Sequence, residues 1–205
     1  MDDNASTLLP AQKCIFMERE EFDVIKTDVL NFLAGNEENE DTFNAIAISL
    51  FSHAYEHNKP YRSYCKKKGV VVAHVNTWRD IPAVSTDAFK TAELRTVPSQ
   101  QCNRSFKTSG TTSEVQGVHY HEDLEVYDVS AIKSFRSFVG SERRPTAILF
   151  PHESNMMHSS LAHYLSLIRK EYGTWDSDHF ITEEGYEHER FLSWLHAHRD
   201  QRRTF

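Results

Sequence analysis

The sequence predicts an α/β fold, with N-terminal helices followed by a partly parallel sheet with flanking helices. Three observations predict it. Before Arg104 the apolar residues recur mostly at helical spacing. From Arg104 onward, short apolar or alternating runs are interleaved with helical patterns. The connections between them are short and punctuated by Gly and Pro, the arrangement of a sheet covered by helices.

Taken in order, residues 1–17 show no clear period and read as a loose lead-in. Residues 18–103 read as the helical N-terminal region, and residues 104–205 as the α/β part of the same domain. Phe22, Ile25, Val29, Phe32 and Leu33 keep helical spacing, with Gly35 as a stop. Asp41 is the expected N-cap of a second helix, whose apolar face is Phe43, Ile46, Ala47, Leu50, Phe51, Ala54 and Tyr55. Pro60 suits the first turn of a third helix and Gly69 its end. Residues 78–90 are non-periodic and hold Pro82. They read as an ordered connection with Trp78 and Phe89 as core anchors and a short helical turn capped by Ser85 or Thr86.

A strand is expected over Arg104–Lys107, and a second over Val118–His121, where apolar and His residues alternate. Leu124, Tyr127, Ala131, Phe135 and Phe138 mark a helix stopped by Gly140. From Pro145 the order is strand (146–150), helix (Leu161, Leu165, Ile168), strand (179–181) and helix (Phe191, Leu192, Leu195), which argues for parallel pairing. Ligands of such sheets lie beyond the carboxyl ends of the strands.

Composition narrows the function. The chain has 205 residues, enough for one sizeable core. Its formal net charge of −7 argues against a general nucleic-acid binder. No apolar run approaches the roughly 20 residues that cross a bilayer. The acidic start Met1-Asp2-Asp3-Asn4 is wrong for a signal peptide, so a cytoplasmic protein is expected. Cys14, Cys65 and Cys102 are odd in number and widely spaced, as free thiols are. His53 and His57 share a helix face, and His119 and His121 a strand face. Neither pair is completed by Cys or carboxylate at a metal-ligand spacing, so no metal site is assigned. No Gly-x-Ser-x-Gly occurs, and no catalytic nucleophile is assigned.

The stretch that carries chemistry is Thr108-Ser109-Gly110-Thr111-Thr112-Ser113. On composition alone such a run is first of all a surface loop of small polar residues. Gly110 also permits a close backbone approach, and successive N–H groups joined by hydroxyls can wrap an anion such as polyphosphate. The context points the same way. The stretch resembles the phosphate loop of adenylate-forming enzymes. Three further segments accompany it: residues 78–90 upstream, then Gly117-Val118-His119-Tyr120-His121 with Tyr127 and Ser130, then His158-Ser159-Ser160-Leu161-Ala162-His163-Tyr164. In this order they resemble the acyl-protein synthetase family of bacterial luminescence operons, the long-chain fatty acid–luciferin component ligase type. The likeness runs from about Phe43 to the C-terminus. It departs from the usual loop at Ser113, where a second glycine is common, and at Gln116, in the usual place of a lysine.

The resemblance implies an incomplete N-terminal domain of an adenylate-forming enzyme and an ATP- and Mg²⁺-dependent ligase. Such an enzyme activates a carboxylic acid, fatty or aromatic, as an acyl-adenylate and transfers the acyl group to a thiol. Ser109, Gly110, Thr111 and Thr112, flanked by Thr108 and Ser113, would hold the phosphates. His158 and Ser159, at the start of a helix, would face the acid. The family's acyl-carrying cysteine matches none of Cys14, Cys65 and Cys102. Its adenine-binding segment and C-terminal lysine domain have no counterpart here, so the resemblance implies a truncated or split form. Such a form is expected to associate through an open edge or to need a C-terminal partner, and not to complete adenylation alone. An aryl-CoA ligase-like module of the phenylacetate type and a catalytically inactive, partner-binding module are the alternatives.

Overall fold

In the computed structural model, residues 10–35, 39–108 and 115–199 are described, residues 10–19 by their backbone alone. The chain is α/β and divides into two compact units, Met1–Gln101 and Cys102–Phe205.

The first unit is helical. α1 (Pro10–Ala34) begins well before the first apolar period in the sequence, with proline in the first turn, where its missing N–H costs nothing. α2 (Glu40–His57) starts at Asn39 rather than Asp41. The Asn39 side chain accepts a hydrogen bond from Thr42 N (3.0 Å), and this leaves Glu40 and Asp41 in the first turn, where their charge opposes the helix dipole favourably. Rings join the two helices: Phe22 lies 5.0 Å from His53 and Phe32 6.0 Å from Phe43, centroid to centroid.

α3 (Lys59–Lys67) is capped by Asn58 and carries Pro60 in its first turn. Phe51, Cys65 and Val75 form the core here, ringed by Tyr55, Tyr61, Tyr64, Val70, Val72 and Ile81. The tyrosines bury their rings and keep polar tips in use. Tyr61 Oη donates to Pro82 O (3.0 Å) and Tyr64 Oη to Ala83 O (2.7 Å), which pins the non-periodic connection to α3. Trp78 is 38% exposed and so is no core anchor. It stands edge-on to Phe43 with the Arg79 guanidinium over its ring, an arrangement that suits a ring at a wet boundary. A four-residue turn, α4 (Ala88–Thr91), follows.

The second unit is α/β. β1 (Arg104–Lys107) and β2 (Val118–His121) form an antiparallel hairpin of their own, Arg104 opposite His121 and Lys107 opposite Val118. The hydroxyl-rich stretch therefore follows a hairpin strand and not a strand of the parallel sheet. The antiparallel return needs only a short connection. α5 (Glu125–Phe138) leads to β3 (Ala147–Pro151), then α6 (Ser160–Tyr172), β4 (Asp178–Thr182), the two-residue β5 (Gly185–Tyr186) and α7 (His188–His198). β3 pairs parallel with β4, and β4 antiparallel with β5, giving a mixed sheet in the order β3-β4-β5. Ile148, Ala162, Ile168 and Phe180 are buried between the sheet and its helices, and burying a side chain the size of Phe180 is worth roughly 1.5–3 kcal/mol.

At the entry to β3 and β4 the backbone is joined by a buried serine. Ser177 Oγ accepts from Thr146 N (3.0 Å) and Thr174 N (2.9 Å). Gly173 ends α6 beside it, and Arg143 closes the helix by donating to Gly173 O (3.0 Å) and Lys170 O (3.3 Å).

Candidate functional site

The hairpin end, the β3–α6 connection and the start of α6 open on one cleft of about 920 Å³. Each wall has a local cause. On the hairpin side, Thr108 N donates to Gly117 O (2.9 Å), and Gly117 N donates to Thr108 Oγ1 (2.9 Å). These bonds close the two ends of the hydroxyl-rich stretch on each other, and Thr108 and Gln116 both line the cleft. On the opposite side, residues 152–159 leave β3 in a series of turns and enter α6 through Ser159. Its Oγ accepts from Ala162 N (3.2 Å), an N-cap that orders the first turn of the helix.

The two walls are tied. Lys107 N donates to His158 O (2.9 Å), and His158 Nδ1 donates to Ser105 O (3.1 Å). A carbonyl can only accept, so His158 carries a hydrogen on Nδ1. Ser105 Oγ lies 3.2 Å from the same Nδ1, so this pair is no activated-serine arrangement. Below the cleft, buried His179 donates from Nδ1 to Phe150 O (2.8 Å), and burial pushes its pKa down, which keeps the ring neutral.

The described lining is Lys107, Thr108, Gln116, Phe150, residues 154–159, Ser160 and Leu161. Lys107 is its charged member, and it holds no carboxylate. The hydroxyls and amides of Thr108, Gln116, Ser154, Asn155 and Ser159, with the positive end of the thirteen-residue α6, make a donor-rich face. Such a set fits a phosphate group. Its described lining offers Mg²⁺ no carboxylate, and among the described residues no three His, Cys, Asp or Glu side chains converge on a cation. Phe150, Met156, Met157 and Leu161 supply an apolar side, the last three well exposed.

Of the residues singled out in the sequence, Thr108, His158 and Ser159 therefore share one cleft. Ser109, Gly110, Thr111, Thr112 and Ser113 lie outside the described residues, between the lining residues Thr108 and Gln116. Sequence reasoning missed the wall 154–157, which has no periodicity to betray it. It also missed a network beneath that wall. His163 lies 2.7 Å from Glu153 through Nδ1 and 2.7 Å from Asp128 through Nε2, and Arg104 reaches Glu153 at 3.2 Å. Nothing short-range marks it, since Asp128 and His163 are 35 residues apart.

The chain matches the family described as acyl-protein synthetase, LuxE, over residues 9–185. The chain belongs to the LuxE acyl-protein synthetase family. The matched span contains every lining residue of the cleft and ends before α7. Membership implies acyl-protein synthetase activity in general, with an acid as substrate and an acyl acceptor. No curated protein and no solved structure matches the chain. No described helix is long and apolar enough to cross a membrane.

Proposed function

We propose that the cleft binds the phosphates of ATP and the head of a carboxylic acid, and that the chain serves ATP-dependent acid activation followed by acyl transfer to a thiol. The observation that carries this is the shared cleft. In a LuxE-family chain, both flanks of the hydroxyl-rich stretch and the N-terminus of α6 line one donor-rich space whose described residues include no carboxylate.

In the overall reaction an oxygen of the acid's carboxylate attacks the α-phosphorus of ATP, and pyrophosphate leaves. The sulfur of the acceptor thiol then attacks the acyl carbonyl, AMP leaves, and the thiol proton passes to solvent or a base. Both steps concentrate negative charge on phosphate oxygens. Ser109, Gly110, Thr111 and Thr112, with Thr108 and Ser113, are assigned to hold those oxygens, and the Lys107 ammonium adds a charge at the cleft edge. Mg²⁺ bound with those phosphates would shield their charge. His158 and Ser159 are assigned to the acid: the helix terminus attracts its carboxylate, while Met156, Met157 and Leu161 offer an apolar bed for its tail, fatty or aromatic.

The test is calorimetric titration of Mg·ATP into the wild-type chain and into Gly110→Val and Thr112→Val, with circular dichroism to confirm folding. Gly110→Val puts a branched side chain where the phosphate must approach. Thr112→Val removes one donor, which is worth about 1.5–3 kcal/mol toward a charged oxygen. Saturable binding that weakens in both variants is the expected result. Equal binding by all three folded proteins would reduce the stretch to a surface turn. Wild type that binds no nucleotide would favour an inactive, partner-binding module.

A further inference from the structure

We propose that His163 is the positioning residue of the cleft: its ring donates from both nitrogens at once and so fastens the wall 153–159 to α5 and β1. The partners decide the ring's state. Glu153 Oε2 and Asp128 Oδ1 each lie 2.7 Å from a ring nitrogen, and an ionised carboxylate can only accept. The geometry therefore places each ring nitrogen to donate to its own carboxylate. Its side chain is 12% exposed, with Phe106 and Tyr127 packed at 5.8 Å and 5.7 Å between ring centroids.

The charges around His163 balance. Asp128 faces it from α5 and Glu153 from the wall; Arg104 on β1 reaches Glu153 from the other side. Tyr127 from α5, His121 from β2 and Tyr164 on its own helix complete the titratable surroundings. Burial pushes the His121 pKa down, and His119 and His163 push the same way while Asp123 opposes them. The His163 ring and Arg104 thus meet two carboxylates in a partly dry setting, where losing His163 leaves Asp128 without this donor.

The consequence for the cleft follows from where Glu153 stands. The far end of the wall is fixed by the backbone, through Lys107 N on His158 O and the Ser159 cap. The near end depends on Glu153, held at its side chain by His163 and Arg104 and at its N–H by Ser166 Oγ (3.2 Å). Between them run the lining residues 154–158. With His163 absent, the near end keeps only Arg104 and Ser166, and the lining is held less firmly. The effect on ligand binding rests on the reading of the cleft given above; the effect on the wall does not.

The experiment has a ligand-free arm and a ligand arm, both on the whole chain. In the first, ring ¹⁵N shifts of His163, assigned against His163→Gln, are followed with pH, and amide protection factors are measured at 153–159 and at β4. Wild type is expected to show two protonated ring nitrogens. His163→Gln should show roughly tenfold lower protection at 153–159 at all pH values and unchanged protection in β4. Unchanged protection at 153–159 in folded His163→Gln, or a singly protonated ring at the low-pH end, overturns the proposal. If His163→Gln does not fold, Asp128→Asn removes one leg and keeps Arg104 on Glu153. A smaller loss at the same residues supports the proposal, and no loss overturns it. In the second arm Mg·ATP is titrated into wild type and His163→Gln. Wild type that binds nothing while the protection arm behaves as expected refutes the nucleotide reading and leaves the His163 assignment standing. Wild-type-like binding by His163→Gln overturns the ligand-positioning half of it.

Discussion

A Cβ built on Gly173 would lie 2.4 Å from Arg169 O and 3.0 Å from both Cβ and Oγ of Ser177, although the backbone there (φ −74°) is one any residue can adopt. The requirement is space and not torsion. Gly173→Ala is expected to force the end of α6 off the start of β4 and to cost about 1–3 kcal/mol, as overpacking does. Ser177→Ala attacks the same joint differently. It leaves Thr146 N without its acceptor in a nearly solvent-free place, at about 1–3 kcal/mol, while Thr174 N keeps the Arg144 carbonyl (3.3 Å). Urea unfolding of the two variants checks both figures. Values near zero would mean the joint relaxes freely. The sequence shows Gly173 as a helix stop, and nothing in it shows the Ser177 contact that makes alanine intolerable.

Among elements, α7 and its fastening give a pH prediction. His198 donates from Nδ1 to Trp194 O (2.7 Å) and from Nε2 to the Asp176 carboxylate, and its ring stacks on Trp194 at 4.1 Å. Trp194 Nε1 donates to Asp176 O. The Trp194 carbonyl first and then Asp176 raise the His198 pKa above 6.5, while Thr174 first and then His198 lower that of Asp176 below 3.8. The raised histidine contributes fully below 6.5 and loses its contribution as pH rises through its folded value. The depressed aspartate contributes above 3.8 and loses its contribution as pH falls through its folded value. Protection of the Trp194 indole N–H should therefore hold between these limits and drop on either side. His198→Gln should abolish the alkaline drop alone, and a pH-independent signal would show that packing, not the ion pair, holds α7.

The same scale shows what the sequence reveals. The interiors of α2, α5, α6 and α7 are readable because their apolar periods are long enough to survive noise, and β3 and β4 because turn residues bound them. The start of α1 is not, since its first turns have no period. Nor is β5, where two residues paired with Ile181 and Thr182 are too few to show alternation. The N-cap of α2 shifts from Asp41 to Asn39 because the neighbouring residues are all competent caps, and only geometry chooses among them. The cleft was half legible. Thr108, His158 and Ser159 stood out, while the Asp128–His163–Glu153–Arg104 network is a product of tertiary packing alone.

At the scale of the molecule the difficulty for a polyanionic ligand is charge. The chain carries a formal −7, so a nucleotide approaches against the long-range field and must be drawn in by local groups. On the proposed reading Lys107 and the α6 N-terminus would supply that attraction at the cleft, and Gln116 stands in the lining where a cation would add to it. Gln116 is exposed and makes no contact on which the fold depends among those described, so Gln116→Lys should fold like the parent. The substitution changes the net charge from −7 to −6 and, more to the point, places an ammonium on the hairpin wall of the cleft. A surface charge acting on phosphate is worth on the order of 1 kcal/mol at low salt, so Mg·ATP should bind roughly fivefold more tightly. The gain should shrink as ionic strength rises and the screening length falls to about 8 Å at physiological salt. Calorimetry at low and physiological salt separates the outcomes. A gain at low salt that fades at the higher places the phosphates beside residue 116. A salt-independent gain would indicate a new direct hydrogen bond instead. No gain at either would move the phosphates away from the hairpin wall and leave the α6 terminus as the anion's sole support.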